Sequence, residues 1–239
     1  SINPIVQAYE LATESGVYEM TSATRFVILA NQENMDNARL QEVVKLINSE
    51  CMGKQVVANA TLAMVYGSED DATADDILIT IDKAKAAESG SDSEEAYVIE
   101  ISADGVKVYA ASENAVMYAL RSIYLYMISI DGLAYGTIKD YPQLEERRLH
   151  VDCGRKYISK DWFIRQIREM SYMKFNTLQM HFSENAGFRI ECETDPLIVS
   201  DQYLRKAEVR EILAEAKKYG IKVIPSFDSP GHVDQMLRT

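Results

Sequence analysis

Cysteine is scarce and scattered. Cys51, Cys153 and Cys192 are odd in number and far apart in a 239-residue chain, which fits neither a disulfide framework nor the paired spacing of a zinc site. Cysteine therefore fixes no compartment. Positive charge is short as well: 25 Lys and Arg stand against 37 Asp and Glu, a formal net charge of -12, and no basic stripe is visible. That balance excludes nucleic acid and anionic membrane as expected partners and serves solubility. No apolar run approaches the length of a membrane-spanning helix, and Ser1-Ile2-Asn3-Pro4 has neither the basic start nor the apolar core of a signal peptide. Tryptophan occurs once, as Trp162, inside a helical pattern where core packing is its expected role. What the chain does hold is 47% hydrophobic and 26% charged residues, enough to bury a full core and too many for one domain to be assumed.

The first 140 residues mix short strand patterns with two helical ones. Arg25 to Ala30 reads as a strand, and Asp36 to Ile47 places Leu40, Val43, Val44 and Ile47 on one helical face. Strand patterns follow at Thr61 to Tyr66, Asp76 to Ile81 and Ala96 to Ile101, and Ala103-Asp104-Gly105 supplies a tight turn into Val106 to Ala110. Ser112 is a good N-cap for a helix carrying Ala115, Val116, Ala119, Leu120, Ile123 and Met127 on one stripe. Glu69-Asp70-Asp71 and Glu88 to Glu95 read as solvated acidic loops. Four or five strands with two helices and no long crossover make an α+β domain with an antiparallel or mixed sheet, expected over residues 1–143. The turn-rich, charged stretch Gly132 to Glu146 is the expected boundary.

From residue 144 the pattern alternates strand and helix. Leu149 to Asp152 is a short strand running into Cys153-Gly154-Arg155; Ser159 caps a helix with Phe163, Ile164, Ile167 and Met170 on its face; and Phe175 to Met180 is a second strand ending in His181-Phe182-Ser183-Glu184-Asn185. Lys206 to Tyr219 sets Val209, Ile212, Leu213 and Ala216 at helical spacing with Gly220 as its C-cap, and Ile221 to Phe227 is a third strand halted by Pro230-Gly231 between Asp228 and His232. Three successive strands of a parallel sheet thus deliver Asp152 and Arg155, then His181, Glu184 and Asn185, then Asp228 and His232 to one edge, where such sheets bind ligands. Taken singly, Asp152, Asp228 and His232 read as loop caps; three consecutive strand ends together point to a site. An arginine fork among carboxylates, an amide and imidazoles suits a polar neutral ligand such as vicinal sugar hydroxyls. A metal is the rival reading, since His181, Glu184, Asp228 and His232 are all ligand types. The one-face spacing of His181 and Glu184 on a helix is lost if they follow a strand, so no metal and no cofactor are expected.

These residues also resemble a family. From Asp140-Tyr141-Pro142 through Arg147, Asp152-Cys153-Gly154-Arg155-Lys156-Tyr157, Lys174 to His181, Gly187-Phe188-Arg189 and Pro225 to His232, the chain is similar to the family 20 glycoside hydrolases, the β-N-acetylhexosaminidases and lacto-N-biosidases. The hairpin and helix of Ala96 to Met127 also resemble the α+β domain that precedes the barrel in this family.

The resemblance implies an α/β protein: an α+β domain, then over residues 144–239 the first three βα units of a TIM barrel with its site at the strands' C-terminal ends. It implies that Arg155 binds the 3- and 4-hydroxyls of a terminal sugar with His232 beside it, and that Asp152, His181, Glu184, Asn185 and Asp228 support the pocket. Many members carry two aspartates where this sequence reads Glu184-Asn185, which puts the bond network to His232 in question. The implied reaction releases terminal β-linked GlcNAc or GalNAc by substrate-assisted catalysis: the 2-acetamido oxygen attacks the anomeric carbon, and an Asp-Glu pair orients that amide and protonates the leaving oxygen. The chain resembles only the N-terminal part of such an enzyme. A full barrel needs about eight strands; no Asp-Glu dipeptide follows Thr194, and the tryptophans that wall the family's pocket have no counterpart. No catalytic residue and no turnover are expected of this chain alone, and an extracellular or cell-surface setting is favoured. The other class left open is a non-catalytic carbohydrate- or partner-binding module. An open three-stranded sheet also leads us to expect that a partner surface or an oligomer covers its edge.

Overall fold

The computed structural model describes residues 4–58, 61–130 and 132–237, so the reading of the N-terminus at Ser1-Ile2-Asn3 lies outside the described residues. The chain forms two compact units, residues 1–143 and 144–239.

The first unit is built on a seven-stranded mixed sheet. In chain order its elements are β1 (Ala8–Leu11), β2 (Val17–Tyr18), β3 (Arg25–Leu29), α1 (Gln32–Met35), α2 (Ala38–Ile47), β4 (Ala63–Gly67), β5 (Ile77–Ile81), α3 (Lys83–Ala86), β6 (Tyr97–Ser102), β7 (Gly105–Ala110), α4 (Glu113–Ile130), β8 (Leu133–Ala134) and β9 (Gly136–Asp140). The sheet order is β1-β9-β6-β7-β5-β3-β4, and β2 pairs with β8 separately. The β7-β5-β3-β4 half is parallel and the β1-β9-β6-β7 half antiparallel. Strand pairing puts Phe26, Ile28, Ile77, Ile79, Val106, Val108, Ile99 and Ile101 on one face, all buried. Against this face lie α2, whose Leu40, Val43, Val44 and Ile47 are fully buried, and α4, held at its start by the Ser112 hydroxyl. The helix α2 runs on as a π-helical stretch, Asn48–Val56. In the β6-β7 hairpin, Gly105 has φ +106, and a Cβ there would meet the Asp76 carbonyl oxygen at 2.9 Å, so only glycine serves.

Two features of this unit differ from the sequence reading. The stretch Gly132 to Glu146, within which the two units divide, is more than turns and charge, because β8 and β9 lie in it and β9 bridges β1 and β6. With Ile138 as its one large apolar residue, β9 carries almost no periodic signal. The strand β1 is four residues long and draws its pairing from β9, far along the chain.

The second unit contains β10 (Arg148–Asp152), α5 (Lys160–Tyr172), β11 (Thr177–His181), β12 (Ser183–Glu184), β13 (Gly187–Phe188), α6 (Lys206–Lys218) and β14 (Lys222–Ser226). The strands β10, β11 and β14 form a parallel sheet with β11 in the centre, and β12 and β13 make a small hairpin beyond β11. Ser159 caps α5 through the Trp162 amide, and Gly220 ends α6 with φ +63. Phe163, Ile167 and Met170 of α5 are buried, as are Ile212 and Ala216 of α6, and the buried Glu215 joins the helices by accepting from Arg168 at 2.9 Å. Trp162 is half-buried, edge-on to Phe163, rather than core, and Leu213 is exposed because α6 turns it away from α5 and β14. The third strand is followed, among the described residues, by a single 3-10 turn at Asp234–Leu237 instead of an α-helix.

Candidate functional site

The parallel register decides which side chains meet. Asp152 pairs with His181 and His181 with Ser226, so the last residues of β10, β11 and β14 stand side by side and the three following loops leave from one edge. After β10 the chain turns at once, with the Cys153 and Gly154 amides donating to the His181 carbonyl at 2.8 and 3.1 Å. A Cβ on Gly154 would lie 2.8 Å from the Ser183 backbone and 2.9 Å from Glu184 Cβ, so glycine is what lets this turn reach the β12-β13 hairpin. The turn presents Arg155. Its amide donates to Asp152 Oδ1 at 3.0 Å, its Nη1 to Asp152 Oδ2 at 2.5 Å, and its Nη2 lies 2.7 Å from Glu184 Oε1.

Glu184 is the hub of the arrangement. It is 4% exposed, and besides Arg155 it meets His232, whose Nδ1 lies 2.7 Å from Oε2. Longer than aspartate by one methylene, Glu184 spans both partners, so the bond network to His232 that the Glu184-Asn185 pair put in question is present. Asn185 contributes differently: its side-chain oxygen accepts from the Asp234 amide at 3.3 Å, tying the hairpin to the loop beyond His232. That loop contains a cis Ser229-Pro230 bond and holds His232 at φ +58.

His181 lies beneath, 6% exposed. Its Nδ1 is 3.0 Å from Ser226 Oγ, and its Nε2 is 3.7 Å from both Glu184 Oε1 and Asp228 Oδ2. The Asp228 amide donates to Ser183 Oγ at 2.9 Å. Ser183 and Ser226 lie within the quoted strand-end stretches, but nothing in the sequence gives either a role; they matter only once β11 and β14 are in register.

Arg155 and His232 are the open members of the set, their side chains 60% and 50% exposed, whereas Glu184 and His181 are enclosed. Burial alone raises the Asp152 carboxyl, but the Arg155 amide and guanidinium outweigh it and leave Asp152 below the usual 3.8. The Arg155 guanidinium is pushed up, chiefly by its bond to Asp152. Burial lifts the neighbouring Cys153 thiol to about 12, which removes it as a nucleophile at neutral pH. All seven residues singled out in the sequence therefore converge, into an edge that offers guanidinium donors, an imidazole and carboxylate acceptors to a ligand arriving from solvent. A separate cleft of about 380 Å³ on the loop between β13 and α6, lined by Glu191, Cys192, Pro196 and Tyr203, includes none of them.

Residues 145–239 match the model of the glycosyl hydrolase family 20 catalytic domain. Among characterised proteins, the chain is 29% identical over 192 residues to β-hexosaminidase subunit A2 of Dictyostelium discoideum, covering 75% of this chain and 32% of that one. It is 25% identical over 205 residues to a lacto-N-biosidase of Bifidobacterium bifidum, covering 83% and 18%. In fold it is similar to the β-N-acetylhexosaminidase of Bacteroides fragilis (TM-score 0.73, 21% identity, 99% of this chain and 46% of that one). It is likewise similar to that of Streptomyces plicatus (TM-score 0.75, 20% identity, 99% and 47%). The chain thus spans under a third of these curated relatives and under half of these solved structures. Its likeness to the family 20 hexosaminidases is carried by both sequence and fold.

Proposed function

From that likeness and from the strand-end array, we propose that this chain contributes the first wall of a terminal-sugar site in an exo-acting glycoside hydrolase that releases β-linked N-acetylhexosamine. Arg155 and His232 contact the sugar; Asp152, Glu184 and Asp228, with His181 and Asn185, hold them in place. The observation that carries the reading is the enclosed Glu184 carboxylate bound to Arg155 on one oxygen and to His232 on the other. A guanidinium fixed from behind by two carboxylates has lost its rotational freedom before a ligand arrives, so its remaining N–H donors are preorganised for two adjacent hydroxyls.

In the reaction proposed for the whole enzyme, the substrate's own 2-acetamido oxygen attacks the anomeric carbon. Tethering that nucleophile removes most of the entropic cost of a bimolecular step. An Asp-Glu pair to orient the amide and protonate the leaving oxygen has no counterpart in this sequence. On this reading the chain by itself binds without turning over.

The test is a titration of the isotopically labelled chain with N-acetylglucosamine, followed by amide NMR shifts, alongside incubation with an aryl N-acetyl-β-glucosaminide. Shifts clustered on residues 152–155, 181–185 and 226–232, without aglycone release, are expected. Shifts confined to residues 1–143 would instead assign the sugar to the first unit as a non-catalytic binding module, and release of the aglycone would overturn the division of labour.

A further inference from the structure

His181 has one ring nitrogen engaged and one left over. Nδ1 is satisfied by Ser226 Oγ at 3.0 Å, whereas Nε2 has no hydrogen-bond partner among the described residues and faces two carboxylate oxygens, each 3.7 Å away. The residue is 94% buried, since 6% of its surface is exposed. A buried imidazole nitrogen aimed between two carboxylates is an unfilled position. At 3.7 Å nothing is bonded, yet the separation is near the roughly 3.3–3.6 Å between two ligands of one tetrahedral cation with metal–ligand distances of about 2.0–2.2 Å.

We infer that His181 Nε2, Glu184 Oε1 and Asp228 Oδ2 form a binding site for a divalent transition-metal cation of the zinc class. These three atoms all lie within 4.8 Å of one another, so a small inward movement of Asp228 closes the triangle. Asp228 is free to make it, its side chain being 41% exposed on the loop after β14. The spacing of residues 181 and 184 after a strand argues against a metal in the sequence; the β11-β14 register supplies the third donor from another strand and removes that objection. Ser226 Oγ, 3.0 Å from Nδ1, can serve as the outer hydrogen-bond acceptor of a ligating histidine, since a ring whose Nδ1–H donates to it keeps its lone pair on Nε2.

Charge favours the same occupant. Asp152, Glu184 and Asp228 set three carboxyl groups against the one guanidinium of Arg155, an excess that a dication offsets. Arg155 contacts the same Glu184 oxygen and remains as that ligand's outer partner or, with 60% of its side chain exposed, swings into solvent. An imidazole among the donors selects zinc-like ions over magnesium and calcium, and water completes the shell. This inference does not rest on the sugar reading. The two meet in one consequence, that a bound cation ties up Glu184 and so opposes any ligand that needs the Arg155-Glu184 pair.

The test is calorimetric titration of the chain with zinc chloride and, separately, magnesium chloride, in a Cys192→Ser background so that this half-exposed thiol takes no metal. One zinc per chain and no magnesium heat are expected. Asp228→Asn, a change at a half-exposed position that folding tolerates, should weaken zinc at least about tenfold, and His181→Gln should do the same. Binding of zinc should also shift the His181 Nε2 resonance while leaving that of His150 in place. Absence of zinc heat, or zinc affinity unchanged in Asp228→Asn, overturns the assignment whatever happens to His181→Gln.

Discussion

The two units of this chain meet water on different terms. In residues 1–143 the sheet has one apolar face covered by α2 and α4; on the other, charge is paired across strands around the buried Val27, Leu78 and Val98. There Glu100 of β6 lies opposite Lys107 of β7, with Lys107 joined to Glu69, Lys85 to Glu100 and Lys139 of β9 to Glu10 of β1. A mixed sheet with a large antiparallel portion tolerates charge on part of one face. In residues 144–239 the sheet is wholly parallel, and only its central strand is enclosed: Leu178, Met180 and His181 of β11 are buried, whereas Arg148 and His150 of β10 and Lys222 and Pro225 of β14 are exposed. Both outer strands are paired on one side only, and Phe227, just after β14, leaves apolar surface open. Parallel sheets are ordinarily covered on both faces. We expect the unit that carries the candidate site to be the less stable of the two.

Thiols test the contrast with the largest expected effect. Burial lifts both Cys51 in the first unit and Cys153 in the second to about 12, so each reacts only when its surroundings open. Cys192 is half-exposed and its thiol is lowered, chiefly by its hydrogen bond to Thr194, so it should react first by orders of magnitude with a chromogenic disulfide at pH 8. Of the two buried thiols, Cys153 should label on the order of tenfold faster than Cys51. Equal rates would remove the stability difference between the units.

Core substitution sharpens the same comparison. Ile79→Ala empties a fully buried position in β5 and should cost about 2–5 kcal/mol, whereas Phe227→Ala, at a side chain 49% exposed, should cost well under that in a denaturant titration. A larger loss for Phe227 would mean that its stack on Phe188 and its tilted contact with Phe182 support the second unit more than its exposure suggests.

Within the second unit, Glu215 carries much of the joint between α5 and α6. Burial raises its carboxyl, but the bonds from Lys218 and Arg168 outweigh this and leave it below the usual 4.5. Glu215→Ala should lower stability by about 1.5–3 kcal/mol, the range for hydrogen bonds to a charged group, toward its lower end because both cations are half-exposed. Arg168→Ala should cost less, since Lys218 still holds the carboxylate.

Acid gives the smallest effect. Asp152 and Glu215 both have lowered folded values, so each contributes stability that is fully present above its unfolded value, 3.8 and 4.5, and is lost as pH falls through the lower folded value. Melting of the second unit should therefore decline below about pH 4.5, and Glu215→Gln should flatten the upper part of that decline. A profile unchanged by the substitution would show that the ion pairs are as weak as exposed ones.

Much of this arrangement is legible in the sequence where the signal is local. The buried stripe of α2, the Ser112 and Ser159 caps, the turn before Gly105 and the αL glycine at 220 each express a constraint contained within a few residues. The convergence of Arg155, Glu184 and His232 follows from three strands ending in polar residues in a parallel sheet. What sequence does not reveal depends on distant pairing. The strands β1 and β9 are short and find each other across most of the first unit, Leu213 sits at a helical apolar position that the outer layer leaves uncovered, and Ser226 becomes a histidine partner only through register.

The central claim is that three strand ends assemble one sugar-hydroxyl site around Glu184, with Arg155 as its principal donor. It is tested most directly by calorimetric titration of N-acetylglucosamine into the unmodified chain, Arg155→Ala and Arg155→Lys. A charge-assisted hydrogen bond contributes about 1.5–3 kcal/mol, and 1.4 kcal/mol is a factor of ten, so Arg155→Ala should weaken binding at least about tenfold. Lysine should restore little of it, because a point charge cannot serve two hydroxyls at once. Affinity equal in all three proteins, with their unfolding midpoints matched, would contradict the account.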